Sequence, residues 1–406
     1  MTQITCFDGV GCIGGNKILL EDGQARLFFD FGKNFGAEGD YYEEFIKPKS
    51  LSGIYEPVQM GLLPAFRDLY RDDMISESFD PWQGITPQEI GEVGGVLVSH
   101  AHVDHIGSLH HLRVDIPIYC SPMTAAISKA LQDTAPGSVP GEYCYYVCRT
   151  DGAGGLSTPP WKTHPYAGKK YHLTEPVNAD FTEFWNSVHG GRKLEALECE
   201  TASKCAGLNL KSFPVDHSIY GATAWAVETA AGWVVYAGDL RMHGTYGDYT
   251  TQFAQQAAAL NPVALILEGT RITSNSTYTE TSVKDASLEA VKKCNSLVIA
   301  DFGARNVERL ISFVEIARET GRELAILPKD VYLLEAMKVA GFTQSVPDMA
   351  EGTTRIYREY SSSPAKWQAH IFDEFQHLLL SPAELNQNQD KFIVCLSFFD
   401  VNELPY

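Results

Sequence analysis

Ser99-His100-Ala101-His102-Val103-Asp104-His105 decides how this chain is read. Three imidazoles and a carboxylate fall within six residues, directly after the apolar strand centre Val96–Val98, which is entered through Gly94-Gly95. On a turn leaving a strand end, alternate residues can face one point, so His100 and His102 can share a cation. Asp104 and His105, where the chain turns into a helix, can face a second. Imidazole and carboxylate suit zinc or another first-row divalent ion. An exposed His-rich loop is the bland alternative, and this spacing argues against it. Gly107 then permits close packing of the turn.

Two further groups complete the constellation. His217 lies in Val215-Asp216-His217-Ser218, just after a predicted strand, Leu208–Phe213. Asp239 lies in Tyr236-Ala237-Gly238-Asp239, again after an apolar run. Alone, the first would be a surface histidine and the second an ordinary turn aspartate. Beside the cluster they supply a third histidine for one cation and a carboxylate that can bridge both.

HxHxDH, then a histidine after a strand, then Gly-Asp after a strand, resembles the metallo-β-lactamase superfamily over residues 1–268. The resemblance implies an α/β fold, the αββα sandwich. Asp30 matches the family's early aspartate, which supports the metal loop and does not itself bind metal. A narrower resemblance is carried by Leu267-Glu268-Gly269-Thr270 and by the segment Ile299-Ala300-Asp301-Phe302-Gly303-Ala304-Arg305-Asn306-Val307-Glu308-Arg309-Leu310. These are similar to the β-CASP branch, the nucleases like ribonuclease J and the cleavage factors of mRNA 3′-end processing. Gly14-Gly15-Asn16-Lys17 also resembles the ribonuclease J-like opening. That branch implies an inserted parallel α/β domain, two divalent cations (zinc, with manganese as the alternative) and RNA as substrate. It assigns His100, His102 and His217 to one metal and Asp104 and His105 to the other, with Asp239 between. The metals would lower the pKa of a shared water. The catalytic groups implied are Asp104, Asp239 and Glu268. Glu268 matches the first acidic motif and would orient a ligand histidine or the water.

The chain departs from the β-CASP pattern in one respect. Two later His-containing motifs are expected, but the histidines after residue 243 are His370 and His377, both within the predicted helical region Lys366–Leu380. The sequence stops at Leu404-Pro405-Tyr406. The expectation is therefore an inserted domain that ends incomplete, exposed apolar surface on the first domain, and a second metal short of a ligand. Two rival functions stay open: a small-molecule hydrolase of the lactonase or thioesterase kind, and a non-catalytic β-CASP-like subunit.

The wider sequence sets the frame. Length, 406 residues, suggests two or three domains. A net charge of −19 repels polyanions on average, so a nucleic-acid partner needs a local basic channel or charge supplied by metal. This favours the small-molecule rival, whereas the β-CASP-like segment favours the nuclease. The pairs Lys47/Lys49, Lys169/Lys170 and Arg192/Lys193 read as solvated loops. Nine cysteines without a CxxC argue against a disulfide framework and fit a reducing cytoplasm. Cys144, Cys148, Cys199 and Cys205 could hold a structural zinc, but reduced thiols are the reading adopted. Met1–Cys12 lacks the pattern of a signal peptide, and no apolar run is long enough to span a bilayer. No membrane partner is implied, and a homo-oligomer is compatible with the chain.

Periodicity divides the chain into a metal-bearing domain, 1–280, and a β-CASP-like α/β domain, 281–406. A hairpin Lys17–Leu20/Ala25–Phe29 is expected around Asp22-Gly23, a helix at Leu62–Tyr70, and an irregular insertion over 134–200. Regular strand–helix alternation after 280 predicts the parallel layer, including a helix Ala304–Thr320 closed by Gly321. Among minor candidates, His243 could line the pocket. His110 and His111 read as helix-surface residues; Arg305 and Arg309 could meet phosphates, but read as solvated helix charges first. Trp161, Trp185 and Tyr143–Tyr146 read as insertion packing before base stacking.

Overall fold

The hairpin forms as expected in the computed structural model, with Lys17–Asp22 antiparallel to Ala25–Phe29 in the register Ile18↔Phe29. The structure describes residues 1–42, 46–135, 141–273, 275, 278–303, 305–341, 352–360, 363–397, 400 and 403. From the hairpin a seven-stranded sheet grows in both directions. Thr2–Asp8 adds antiparallel to the first strand, while Val96–Leu97, Ile118–Cys120, Tyr171–Leu173 and Cys199–Thr201 follow in parallel. A second sheet orders Lys204–Cys205, Leu208–Pro214, Thr223–Thr229, Gly232–Tyr236 and Ala264–Ile266.

Side-chain alternation shows how these sheets pack. Ile18, Leu20, Leu27, Phe29 and Leu97 of the first sheet meet Leu210, Trp225, Val227, Val234 and Tyr236 of the second in one buried cluster. Their neighbours Leu19, Phe28, Val96 and Val98 point the other way, into a core shared with the outer helices. On the far side Ala224, Ala226, Val235 and Ala237 pack against Phe253 and Ala257 of the helix Gly247–Ala259. Helices thus cover both outer faces of two stacked sheets, the αββα sandwich. Trp225 pins the layers together, because its indole N–H donates to the Val98 carbonyl at 3.0 Å, one residue before the metal loop.

A third sheet is wholly parallel: Val298–Ala300, Phe392–Cys395, Glu323–Ile326, Thr354–Tyr357 and Leu379–Leu380. The helices Val307–Thr320 and Pro328–Val339 connect its strands, and Gly321 caps the first in the left-handed region at φ 68°. This unit docks on the sandwich through Pro328–Val339 against Pro122–Thr134. There Tyr332 donates to Asp133 at 2.7 Å, and Asp133 also receives the buried Lys129 ammonium at 2.6 Å. Among the described residues no helix is long and apolar enough to cross a membrane.

Several expectations are corrected. Leu62–Tyr70 is not helical; the short helix is Tyr55–Gln59. Pro64 interrupts the segment, and its apolar spacing arises because Leu63, Phe66, Leu69 and Tyr70 plug the core from an irregular chain. The 134–200 insertion is not an irregular loop. Its strands Tyr171–Leu173 and Cys199–Thr201 extend the first sheet, and the helix Ala179–Trp185 buries Phe181 and Trp185. Strands of three residues are too short to show alternation in sequence. Residues 136–140 of that insertion, Ala304 of the predicted helix and Leu404-Pro405-Tyr406 lie outside the described residues. The predicted helix Lys366–Leu380 ends at Glu374, and Leu379–Leu380 joins the third sheet instead.

Candidate metal centre

The ends of neighbouring strands place every group of the centre. Val96–Leu97 leads to His100 and His102, the short helix Val103–Ile106 carries Asp104 and His105, Leu208–Pro214 leads to His217, and Gly232–Tyr236 leads to Asp239. Gly238 makes the last approach possible: it sits at φ 61°, and a Cβ there would lie 2.5 Å from the Ser99 Cβ.

His100, His102 and His217 surround one point, with ring centroids 4.7 to 5.0 Å apart. His102 Nδ1 lies 3.0 Å from His100 Nε2 and 3.2 Å from His217 Nε2. Ligands about 2.0–2.1 Å from a shared tetrahedral centre are separated by roughly 3.3 Å, so the spacing fits such a cation. Burial pushes His102 down to about 2 and His217 to about 4, and it holds His100 well below its usual value. These imidazoles are neutral, with lone pairs available.

A second group joins His100, His105 and Asp239. His105 Nε2 lies 3.4 Å from Asp239 and 3.7 Å from Asp104, yet it is buried without a hydrogen-bond partner. Burial alone would lower His105, but Asp30 and Asp239 outweigh it and raise it to about 10. A field that holds a proton on that nitrogen also favours a cation between it and the carboxylates. The residues present therefore fit two adjacent metals. Asp239 touches both groups, since it also lies 3.7 Å from His217, while Asp104 stands at the edge of the second.

Supporting contacts fix the tautomers. Asp30 is fully buried with φ 52°, and it accepts from Ser99 N (2.7 Å), Ser99 Oγ (2.7 Å), His105 Nδ1 (2.7 Å) and Tyr236 OH (2.5 Å). With its hydroxyl proton given to Asp30, Ser99 Oγ accepts from His100 Nδ1 at 2.9 Å, leaving His100 Nε2 free. Asn16 donates to Tyr236 OH at 3.1 Å, and Gly15 N donates to the Asp104 carbonyl at 2.9 Å. Glu268 accepts from Leu240 N at 3.1 Å, so it braces the turn carrying Asp239 and touches neither a ligand histidine nor a ligand carboxylate.

The third-sheet unit reaches into the same region. Arg241, two residues beyond Asp239, pairs with Asp216 (3.1 Å), which precedes His217, with Glu280 (3.1 Å), and with Glu308. Glu308 also accepts from Thr245 N and Oγ1, and Arg309 pairs with Glu280 at 2.8 Å, so Arg309 is not a solvated helix charge. Arg305 is half-buried, and Nη1 donates to the Ala101 carbonyl at 3.2 Å between the two metal-loop histidines. It forms no ion pair among the described residues. Sequence gave no direct signal for these contacts, because each joins segments at least 25 residues apart.

A cavity of about 400 Å³ opens beside His217. Tyr220, Tyr246 and Tyr249 line it, the last two stacked at 5.2 Å, and Ala340 and Gly341 of the third-sheet unit close one side. His243 is exposed, as are Trp161 and the edge residues Val263, Leu265 and Leu267. Tyr143, Tyr145 and Trp185 are buried in the insertion. His370 stacks on His189 at 4.6 Å and joins no metal group. Nor do the nine cysteines, among the described residues.

His110, His111 and Lys169 are buried rather than at the surface. The turn after the metal helix is roofed by Arg71, whose N–H donates to the His111 carbonyl, and the Lys169 ammonium donates to the Leu109 carbonyl at 2.6 Å. Burial, with Arg71 and Lys169 nearby, pushes His111 down to about 3 and keeps His110 well below its usual 6.5. The folded chain keeps both neutral where the unfolded chain binds protons. The stabilisation from His111 is therefore complete above about pH 6.5 and lost as pH falls toward 3, by about 1.4 kcal/mol per pH unit, and His110 acts in the same direction. Urea midpoints should drop on acidification, and His111→Gln should flatten that drop. Parallel curves for the two proteins would contradict the assignment.

No protein-family model matches the chain. Ribonuclease J of Helicobacter pylori is 19% identical over 340 residues, covering 81% of this chain and 37% of the relative. Ribonuclease J of Mycolicibacterium smegmatis is 24% identical over 243 residues, covering 59% of this chain and 28% of its own length. A crystal structure of a protein of unknown function from Enterococcus faecalis V583 shares the fold, with a TM-score of 0.63 and 21% identity over 98% of this chain and 78% of that one. The sandwich, the His/Asp cluster and this likeness fit a metal-dependent hydrolase, and the chain spans little more than a third of the H. pylori ribonuclease J that it matches.

Proposed function

We propose that this chain belongs to a dinuclear metal-dependent phosphodiesterase that acts on RNA, of the ribonuclease J-like β-CASP kind. The observation that carries the reading is Arg305. A half-buried guanidinium that forms no ion pair among the described residues stands at the carbonyl between His100 and His102, with Asp104 acting on it electrostatically, where an anionic substrate would meet the metals. Lactones and thioesters offer nothing for such a group, whereas a phosphodiester offers two charged oxygens. The tyrosine-lined cavity beside His217 adds faces on which bases can stack. The ribonuclease J likeness points the same way.

Two divalent cations, zinc or manganese, would supply Lewis acidity and lower the pKa of water at this site. The chain's own part is to hold and orient. His100, His102 and His217 form one ligand group; His105, Asp239 and Asp104 form the other, with Asp239 shared. Asp30 fixes His105 so that Nε2 faces the carboxylates, Ser99 fixes His100, and Glu268 steadies the turn of Asp239. Arg305 offsets charge that builds on the phosphoryl oxygens.

The test is hydrolysis of single-stranded RNA by the chain loaded with Mn²⁺ or Zn²⁺, with binding that weakens as salt rises. Arg305→Ala should lower kcat/KM on RNA by about 10- to 100-fold, the worth of a charge-assisted hydrogen bond at about 1.5–3 kcal/mol. Turnover of lactones or thioesters with none of RNA would establish the small-molecule reading. Metal binding without any turnover would establish the non-catalytic one.

A further inference from the structure

Asp104 is the least supported group of the metal centre. Its carboxylate lies 3.7 Å from His105 Nε2, and among the described residues no neighbouring side chain donates a hydrogen bond to it. His100 and His105, by contrast, are each fixed through a ring nitrogen, by Ser99 and by Asp30. Two side-chain torsions are free to turn an aspartate, so packing decides where this carboxylate points. That packing comes from the loop between the first two strands, Gly9-Val10-Gly11-Cys12-Ile13-Gly14-Gly15. A Cβ built at Gly14 would strike the Asp104 Cβ and lie 2.5 Å from its Oδ2. Only a hydrogen fits there, and the Gly14 backbone fills the space beside the carboxylate. The next residue holds the main chain of the same aspartate, since Gly15 N donates to the Asp104 carbonyl at 2.9 Å.

The loop is anchored by a buried charge and not by apolar packing. Val10 and Ile13 are exposed. Lys17 is 1% exposed, and its ammonium donates to the Asp8 carboxylate at 3.3 Å and to the Gly15 carbonyl at 3.3 Å. Asp8 opens the loop and Gly15 closes it, so one ammonium ties both ends. Asp8 also accepts from Gly9 N at 2.9 Å and from Asn34 at 2.8 Å. Burying an ammonium is costly unless it is paired and hydrogen-bonded. Here the groups that offset the cost belong to the loop itself.

We propose that Gly14 is a positioning residue for the second metal: the loop that Lys17 and Asp8 close presses on Asp104 and keeps its carboxylate turned toward His105. The inference rests on the two-metal reading given above.

Calorimetric titration of the metal-free whole chain with Co²⁺, read together with its visible absorption, tests this. The native chain should bind two ions. Gly14→Ala should weaken the second by about 10- to 100-fold, the usual cost of disturbing the support of a metal ligand. The absorption bands of the second ion should change, while the first ion binds as before. Gly11→Ala is the control. Gly11 sits at φ 72°, against 71° at Gly14, yet a Cβ there meets nothing within 4 Å, so alanine brings the same backbone strain without touching Asp104. That variant should hold both ions as the native chain does. Lys17→Met, which adds no atom to the loop, should weaken the second ion in the same direction as Gly14→Ala. Two ions held equally well by the native chain and by Gly14→Ala would overturn this inference alone. So would equal weakening by Gly11→Ala, or loss of both ions together in Gly14→Ala. Native affinity in Lys17→Met would overturn the part given to Lys17. A native chain that takes up a single ion would overturn the two-metal reading and this inference with it.

Discussion

His102→Ala is expected to abolish hydrolysis and to strip metal from the chain. His102 Nδ1 is the middle of the three nitrogens, 3.0 Å from one neighbour and 3.2 Å from the other. Alanine therefore removes one of three neutral donors from the first group and leaves no side chain that can replace it. Lewis-acid stabilisation is worth several kcal/mol, and about 1.4 kcal/mol is a factor of ten, so the loss should reach about three decades in rate or more. Metal content by mass spectrometry should fall with activity. A variant with native metal content and native rate would remove His102 from the centre.

The second large effect is expected at Asp30. Asp30→Ala deletes a fully buried carboxylate that four donors share, and those donors belong to the metal loop, to His105 and to the neighbouring sheet. Breaking a buried ionic group by removing one partner costs about 3–5 kcal/mol. Two readouts should move together. Unfolding in urea should come earlier by that amount, and metal should be held less tightly because His105 loses the partner that turns Nε2 toward Asp239. Alanine must also adopt φ near 52°, which Asp tolerates better. Stability within about 0.5 kcal/mol of native, the range of an ordinary surface change, would show that the network does not support the centre.

The metal loop was legible because its donors are consecutive. His100, His102, Asp104 and His105 need no tertiary contact to be recognised as a set. His217 and Asp239 were legible next, since each follows a strand long enough to be seen, and strand ends gather at one edge of a sheet. Arg305 read first as a solvated charge, because its contact with the Ala101 carbonyl depends on how a separate α/β unit docks. The role of Tyr236 gave no signal: its hydroxyl donates to Asp30 and accepts from Asn16, and those contacts exist only once both sheets close. His110, His111 and Lys169 were misread for a related reason. Polar residues just past a helix are usually at the surface, but here the insertion and Arg71 cover them. The insertion itself hid its strands because two or three residues carry no readable alternation.

Arg241 carries one more consequence. Its guanidinium joins Asp216 from the sandwich, Glu280 from the connecting helix and Glu308 from the helix Val307–Thr320. The two units are therefore not interchangeable modules, whatever their separate sheets suggest. Severing the chain after residue 280 would keep Asp216 and Glu280 but remove Glu308 and Arg309, leaving Arg241 short of a carboxylate and Glu280 short of a cation. Both turns that present His217 and Asp239 end on that knot. A change at Glu308, some 70 residues further along the chain than Asp239, would act directly on Arg241, two residues from Asp239.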